Sequence, residues 1–131
     1  METILDLGDY TFPAVLKNSL KKFAERQALS LVGGKTVTYA EMGARAAQIS
    51  QFLLALGLKP YCKIAIFGTG RPEWGQSYFA IVNTGMIAVP LLPDFSETEV
   101  EAILKHCEVD GLIVEDRLWQ KIKGLDEYIL P

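Results

Sequence analysis

A chain of 131 residues is the length of one compact domain, and half its residues are apolar against 22% charged, which excludes a disordered tail or linker. A formal charge of −3 with no basic stripe excludes a surface built to neutralise nucleic-acid phosphates. No apolar run of 18 residues is present to span a membrane, and the acidic first nine residues lack the basic start and apolar core of a secretion signal.

In chain order, Thr11 predicts the cap of a first helix with Phe12, Leu16, Leu20 and Phe23 on one face and Lys17, Lys21 and Lys22 solvated. Leu29 to Tyr39 reads as a β-hairpin around Gly33-Gly34. A two-residue loop would put Leu29 and Leu31 on the face opposite Val37 and Tyr39, whereas a three-residue loop, Gly33-Gly34-Lys35, puts all four on one face. The longer loop, with a glycine in the left-handed region, is therefore expected. Thr38-x-x-Glu41 is a capping box that opens a helix burying Met42, Ala46, Ile49, Leu53 and Leu56; Gly57 ends it and Pro60 prevents a restart.

Lys63 to Phe67 is an apolar strand, followed by Gly68-Thr69-Gly70-Arg71-Pro72-Glu73-Trp74 and a helix that starts at Pro72. Its expected inward stripe is Trp74, Tyr78, Ile81 and Val82, and Gly85 ends it. A second strand, Ile87 to Leu91, precedes another capping box, Ser96-x-x-Glu99, which leads Val100, Ile103, Leu104 and Cys107 inward. Gly111 to Val114 is a third strand, followed by a short helix from Asp116 with Leu118 and Ile122. Three short apolar strands at helical spacing predict an α/β fold: three layers, a mostly parallel sheet with helices on both faces (flavodoxin- or Rossmann-like), and the N-terminal β-hairpin apart or at the sheet edge. Tyr128 to Pro131 reads as a strand cut short.

Each candidate site has a plain structural reading. Gly68-Thr69-Gly70 stands where a dinucleotide loop would, but the third glycine of GxGxxG falls on Glu73, whose carboxylate would repel pyrophosphate, and no P-loop lysine follows. The segment reads as a strand-to-helix turn, with Arg71 either holding an anion or pairing with a local carboxylate. Trp74 reads as core; Tyr78 lies with it, while Phe79 points elsewhere, toward a pocket or partner. His106 suits a helix C-terminus and has no catalytic partner in sight. Asp94, Glu115 and Asp116 follow strand ends, an arrangement that raises a receiver-like Mg²⁺ site; the idea fails at the first strand, which ends in Gly68-Thr69 where an acid is needed. Cys62 and Cys107 form no CxxC pair and, with one histidine, give no zinc-type spacing, so reduced thiols are expected. No residue is assigned a catalytic, cofactor-binding or metal-ligating role.

The run from Lys63-Ile64-Ala65-Ile66 through Arg71-Pro72-Glu73-Trp74 to Val89-Pro90-Leu91, with Thr38-Tyr39 and Leu56-Gly57 before it and a Glu-rich helix from Ser96 after it, resembles the N-terminal part of the adenylate-forming (AMP-binding) acyl-CoA synthetases, particularly the long-chain fatty-acid–CoA ligases. The resemblance covers roughly residues 11–122 in order. It implies that residues 1–131 are the N-terminal subdomain of a longer enzyme that joins a fatty acid to CoA through an acyl-adenylate, with ATP, Mg²⁺ and CoA as reactants and a homodimer as its assembly. The family's Gly/Ser/Thr-rich loop ending in Pro-Lys, its Tyr-Gly-x-Thr-Glu segment, its ribose-binding Asp and its C-terminal Lys have no counterpart here, so the fragment itself is expected to be inactive and to self-associate through an open edge near Ile129 and Leu130. A cytoplasmic protein, or one peripheral to a membrane, is expected. The alternative is a free-standing, non-catalytic α/β binding or interaction domain.

Overall fold

The computed structural model describes residues 9–128, and side chains as far as Leu125. Helix α1 (Phe12–Phe23) starts at Thr11, whose hydroxyl accepts from the Ala14 N–H at 3.4 Å. Strands β1 (Gln27–Ser30) and β2 (Thr36–Thr38) pair antiparallel in a sheet of their own, as expected. Their register pairs Leu29 with Val37 and Ser30 with Thr36, so the loop holds five residues and not three. The reason is a turn that closes early, where the Gly34 N–H donates to the Leu31 carbonyl (2.8 Å) and Gly33 takes φ 72°. Lengthening the loop by two slides the pairing by an even step, so Leu29 and Val37 keep their common face. Leu31 and Val32 leave the strand for the loop and are exposed, and Tyr39 becomes the first residue of the next helix.

Helix α2 (Tyr39–Ala55) carries the full capping box: Glu41 N–H donates to Thr38 Oγ1 (3.2 Å) and Thr38 N–H to Glu41 Oε2 (2.9 Å). Met42, Ala46, Ser50 and Leu53 are its buried residues. Leu56 departs from expectation at 57% exposed. Gly57, at φ 87°, turns the chain so that Leu58 returns to the core, its N–H donating to the Leu53 carbonyl at 3.3 Å; Leu58 takes the place Leu56 was expected to fill. Gly43 lets α1 approach closely, since a Cβ there would lie 2.6 Å from Leu20 Cδ2.

The main sheet has β3 (Lys63–Phe67) at its centre, parallel to β4 (Ile87–Leu91) on one side and β5 (Gly111–Val114) on the other. Residues Ile64 to Phe67 of β3 are all buried because both faces are covered. Ile64 and Ile66 meet Leu53 of α2 and Ile81 of α3 (Pro72–Asn83); Ala65 and Phe67 meet Val100 and Leu104 of α4 (Glu97–Cys107). Since β4 and β5 flank β3 on opposite sides, right-handed crossovers place α3 and α4 on opposite faces. The capping box at Ser96 and Glu99 forms, and α4 ends at Glu108 in the left-handed region (φ 53°), a site no glycine marks. Helix α5 (Asp116–Trp119) runs into a 3₁₀ segment, Gln120–Tyr128, that brings Ile122 and Leu125 onto the α4 face. Tyr128 belongs to that segment and not to a strand; Ile129 to Pro131 lie outside the described residues.

A third apolar cluster, Leu16, Val37 and Met42 with Leu20, Leu29 and Phe79, joins α1, the hairpin and α2 to the outer side of α3. Phe79 therefore belongs to a core rather than to a pocket, with its ring edge-on to Tyr78 and Phe12. Layers on both sides of α3 also explain its burial: Gln76, Ser77, Ala80 and Ile81 are buried, while Trp74 and Tyr78 are half-buried at its flank. The Ser50 hydroxyl, which donates to the Ala80 carbonyl at 2.8 Å, ties α2 to α3 inside this packing. Cys62 and Cys107 are free thiols. Among the described residues no helix is long and apolar enough to cross a membrane.

Candidate functional site

Leaving β3, the chain goes to β4 on one side and later returns to β5 on the other, so the strand order reverses between β3 and β5. In open α/β sheets a crevice forms at such a point beyond the carboxyl ends of the strands. Here it is a cavity of about 600 Å³, walled by Gly68 and Thr69 after β3, Glu115 and Asp116 after β5, and Trp74 and Ser77 of α3.

Glu115 spans the crevice. One carboxylate oxygen accepts from the Thr69 N–H (2.8 Å) and the Thr69 hydroxyl (2.7 Å); the other accepts from Arg117 Nε (2.8 Å) and lies 2.7 Å from Arg117 Nη2. These donors, Thr69 first and Arg117 after, hold the carboxyl down from 4.5 to about 2 against a smaller upward push from burial. A carboxylate so stabilised is too weak a base to activate the Thr69 hydroxyl near neutral pH. The Thr69–Glu115 pair is a clamp joining the ends of β3 and β5.

The glycine turn behaves as the structural reading required. A Cβ at Gly70 would meet nothing within 4 Å, and one at Gly68 would make only ordinary contacts with Trp74 and Glu115. Neither glycine is required by packing within the chain. Arg71 lies 3.6 Å from Glu73, both exposed, so it pairs with the local carboxylate. Asp116 lines the cavity, but Asp94, exposed in the turn after β4, does not. Among the described residues no three His, Cys, Asp or Glu side chains are grouped to hold a metal ion. His106 is exposed at the end of α4. Sequence reasoning missed Arg45, which reaches the cavity from α2 and donates to Gln48 Oε1 at 3.1 Å. It also missed the Thr69–Glu115 clamp, whose partners are 46 residues apart and share no local pattern.

Trp74 walls the cavity, stacks on Tyr78 (centroids 5.5 Å apart, planes at 10°) and packs against the α2–α3 cluster. Because it is half-buried, Trp74→Ala is expected to destabilise by about 2–3 kcal/mol, below the 3–5 of an enclosed aromatic. Urea unfolding checks this: a loss under about 1 kcal/mol would make Trp74 a surface residue without a core role.

The model of the family described as AMP-binding enzyme matches residues 16–129. The chain belongs to this family. Long chain acyl-CoA synthetase 1 of Arabidopsis thaliana is 34% identical over 90 residues, 69% of this chain and 13% of that protein. Triostin synthetase I of Streptomyces triostinicus is 29% identical over 110 residues, 84% of this chain and 20% of that protein. Among solved structures, the anthranilate CoA ligase AuaEII in complex with anthranoyl-AMP superposes with a TM-score of 0.85 at 26% identity, over 92% of this chain and 23% of that one. The chain thus spans about a fifth or less of the curated relatives just named, and its mixed α/β fold is that of adenylate-forming ligases. The names of these relatives differ in the acyl group, a long acyl chain in one and anthranilate in another.

Proposed function

We propose that the chain is the N-terminal part of an ATP-dependent acid–thiol ligase acting on a fatty acid. In that reaction ATP and the carboxylate give an acyl-adenylate and pyrophosphate, and CoA then displaces AMP. The observation that carries the reading is the ordered unit β3, the Arg71-Pro72-Glu73-Trp74 turn, α3 and β4, set in a chain that matches the AMP-binding family over residues 16–129. The long-chain relative at 34% identity supports the fatty acid. The same reading takes the whole ligase to be a cytoplasmic homodimer that uses ATP, Mg²⁺ and CoA.

Among the described residues the crevice at the strand ends has no surplus positive charge for a triphosphate: Glu73, Glu115 and Asp116 line it together with Arg45, Arg71 and Arg117, and Arg71 and Arg117 are already paired with Glu73 and Glu115. No chemical step is therefore assigned to this part of the chain. Calorimetry of the 131-residue chain with Mg-ATP is expected to show no heat beyond dilution, and micromolar binding would return the Gly68 to Arg71 turn to a nucleotide role. The reading as a whole is tested on the protein made from the complete reading frame. Palmitate-dependent release of pyrophosphate and formation of palmitoyl-CoA are expected. Activity with anthranilate alone would keep the ligase and replace the fatty acid; no acid-dependent ATP consumption would leave a non-catalytic domain.

A further inference from the structure

The formal charge of −3 is unevenly shared along the chain. Residues 10–38, which form α1 and the hairpin, hold Lys17, Lys21, Lys22, Arg26 and Lys35 against one acid, Glu25, whereas residues 39–131 hold eight Lys/Arg against twelve Asp/Glu. The five cations are exposed, and among the described residues none of them takes part in an ion pair. The same layer carries Tyr10, Phe12, Val15, Leu31 and Val32, five of the eleven large apolar side chains exposed among the described residues. Charge and apolar surface meet at the hairpin. The last turn of α1 leads into β1 with the Arg26 guanidinium over the Phe23 ring at 4.8 Å, and the Tyr39 N–H closes the hairpin's base on the Arg26 carbonyl at 3.0 Å. From Arg26 the tip at Val32 is at most roughly 20 Å away along the strand. There the Gly34 N–H bonds the Leu31 carbonyl and leaves Val32 fully exposed, with Lys35 following in the same loop.

We infer that this layer is a membrane-contacting face, which seats the protein on a bilayer surface rich in anionic lipid. Leu31 and Val32 at the hairpin tip enter the headgroup region, and Lys21, Lys22, Arg26 and Lys35 lie against the lipid phosphates. Each cation held near an anionic leaflet strengthens binding roughly fivefold, and an apolar tip at the headgroup boundary adds buried area. The two parts depend on each other: two apolar side chains bury too little to hold a protein, and exposed charges alone are screened by salt. The acidic remainder of the chain is repelled by the same leaflet, which leaves one orientation. A second copy fits this layer less well, because a two-fold contact would set the basic layer against itself. An acidic protein surface would match the cations but not a bare valine that projects beside them, whereas a fluid headgroup layer yields around such a tip. The inference goes beyond the reaction proposed above and does not rest on it.

Sedimentation with sucrose-loaded vesicles tests it, with no ATP or acid substrate present, so the outcome is independent of ligase activity. At about 0.1 M salt the chain is expected to bind phosphatidylcholine vesicles containing about one-third phosphatidylserine roughly tenfold or more tighter than phosphatidylcholine alone, and higher salt releases it. The pair Lys21→Glu and Lys22→Glu is expected to weaken that binding roughly tenfold or more, and Val32→Asp about fivefold or more. Lys59→Glu, an exposed charge outside the layer, makes the same kind of change and costs less than about twofold if the cations act locally. All of these side chains are exposed, so the variants are expected to melt with the parent, and each of the two layer variants tests the face separately. Equal binding to the two kinds of vesicle, a charge-reversed or Val32→Asp protein that binds like its parent, or an equal loss in Lys59→Glu overturns the membrane face. Binding to polyglutamate with none to the anionic vesicles would give the layer to an acidic protein surface and overturn it as well.

Discussion

Phe67→Ala destabilises the chain by about 3–5 kcal/mol, the largest effect expected of any single truncation here. Phe67 is 0% exposed and is the largest of the fully buried side chains. Its ring occupies the face of β3 that carries the second core, among Leu91 of β4, Val100 and Leu104 of α4, and Ile122 and Leu125 of the 3₁₀ segment. Removing it withdraws contacts from three elements at once and leaves a void that backbone on both sides of β3 prevents from collapsing. Natural domains hold only about 5–15 kcal/mol in all, so much of the native margin disappears. For a chain of this size the melting temperature falls by roughly 10–20 °C. Urea and thermal unfolding check it, with Val32→Ala as the control: Val32 is fully exposed in the hairpin loop and its truncation changes stability by less than about 0.5 kcal/mol. A Phe67→Ala loss under about 1.5 kcal/mol would contradict the packing of this face.

The second large effect belongs to Glu115. Its folded pKa, about 2, lies below the ordinary 4.5, so it contributes stability that is fully present above pH 4.5 and is lost as pH falls toward 2. A shift of that size corresponds to about 3 kcal/mol; with the side chain 16% exposed beside a wide cavity, about 1–2 kcal/mol is expected. Glu115→Gln keeps the shape but loses the charge-assisted acceptor for Thr69 and Arg117. At pH 7 it is destabilised by that amount, and between pH 4.5 and 2 its stability falls less steeply than that of the parent. Parallel pH profiles for the two proteins would show that the clamp is not what holds the ends of β3 and β5 together.

Helix and strand identity followed from local chemistry. The caps at Thr38 and Ser96, the stop at Gly57 and the proline start of α3 depend on residues within four positions of one another, and all formed as expected. Apolar runs at 64, 89 and 112 determined a parallel, doubly covered sheet, because a strand buried on both faces cannot alternate. Parity in the hairpin was legible while loop length was not, since alternation specifies which face a residue takes and only turn geometry sets where the pairing begins. Leu56 shows a related limit: periodicity places it inward, but the chain reversal at Gly57 gives its place to Leu58.

What the sequence by itself determined is the class of the fold, its element order and, through the Arg71-Pro72-Glu73-Trp74 turn and its neighbours, the AMP-binding family. Only the tertiary structure decided which side of α3 is inside, that Arg45 and Glu115 face one crevice, and that β4 and β5 flank β3 on opposite sides. Those facts join residues dozens of positions apart, and they depend on strand order and layer packing, for which no local spacing in the chain carries a signal.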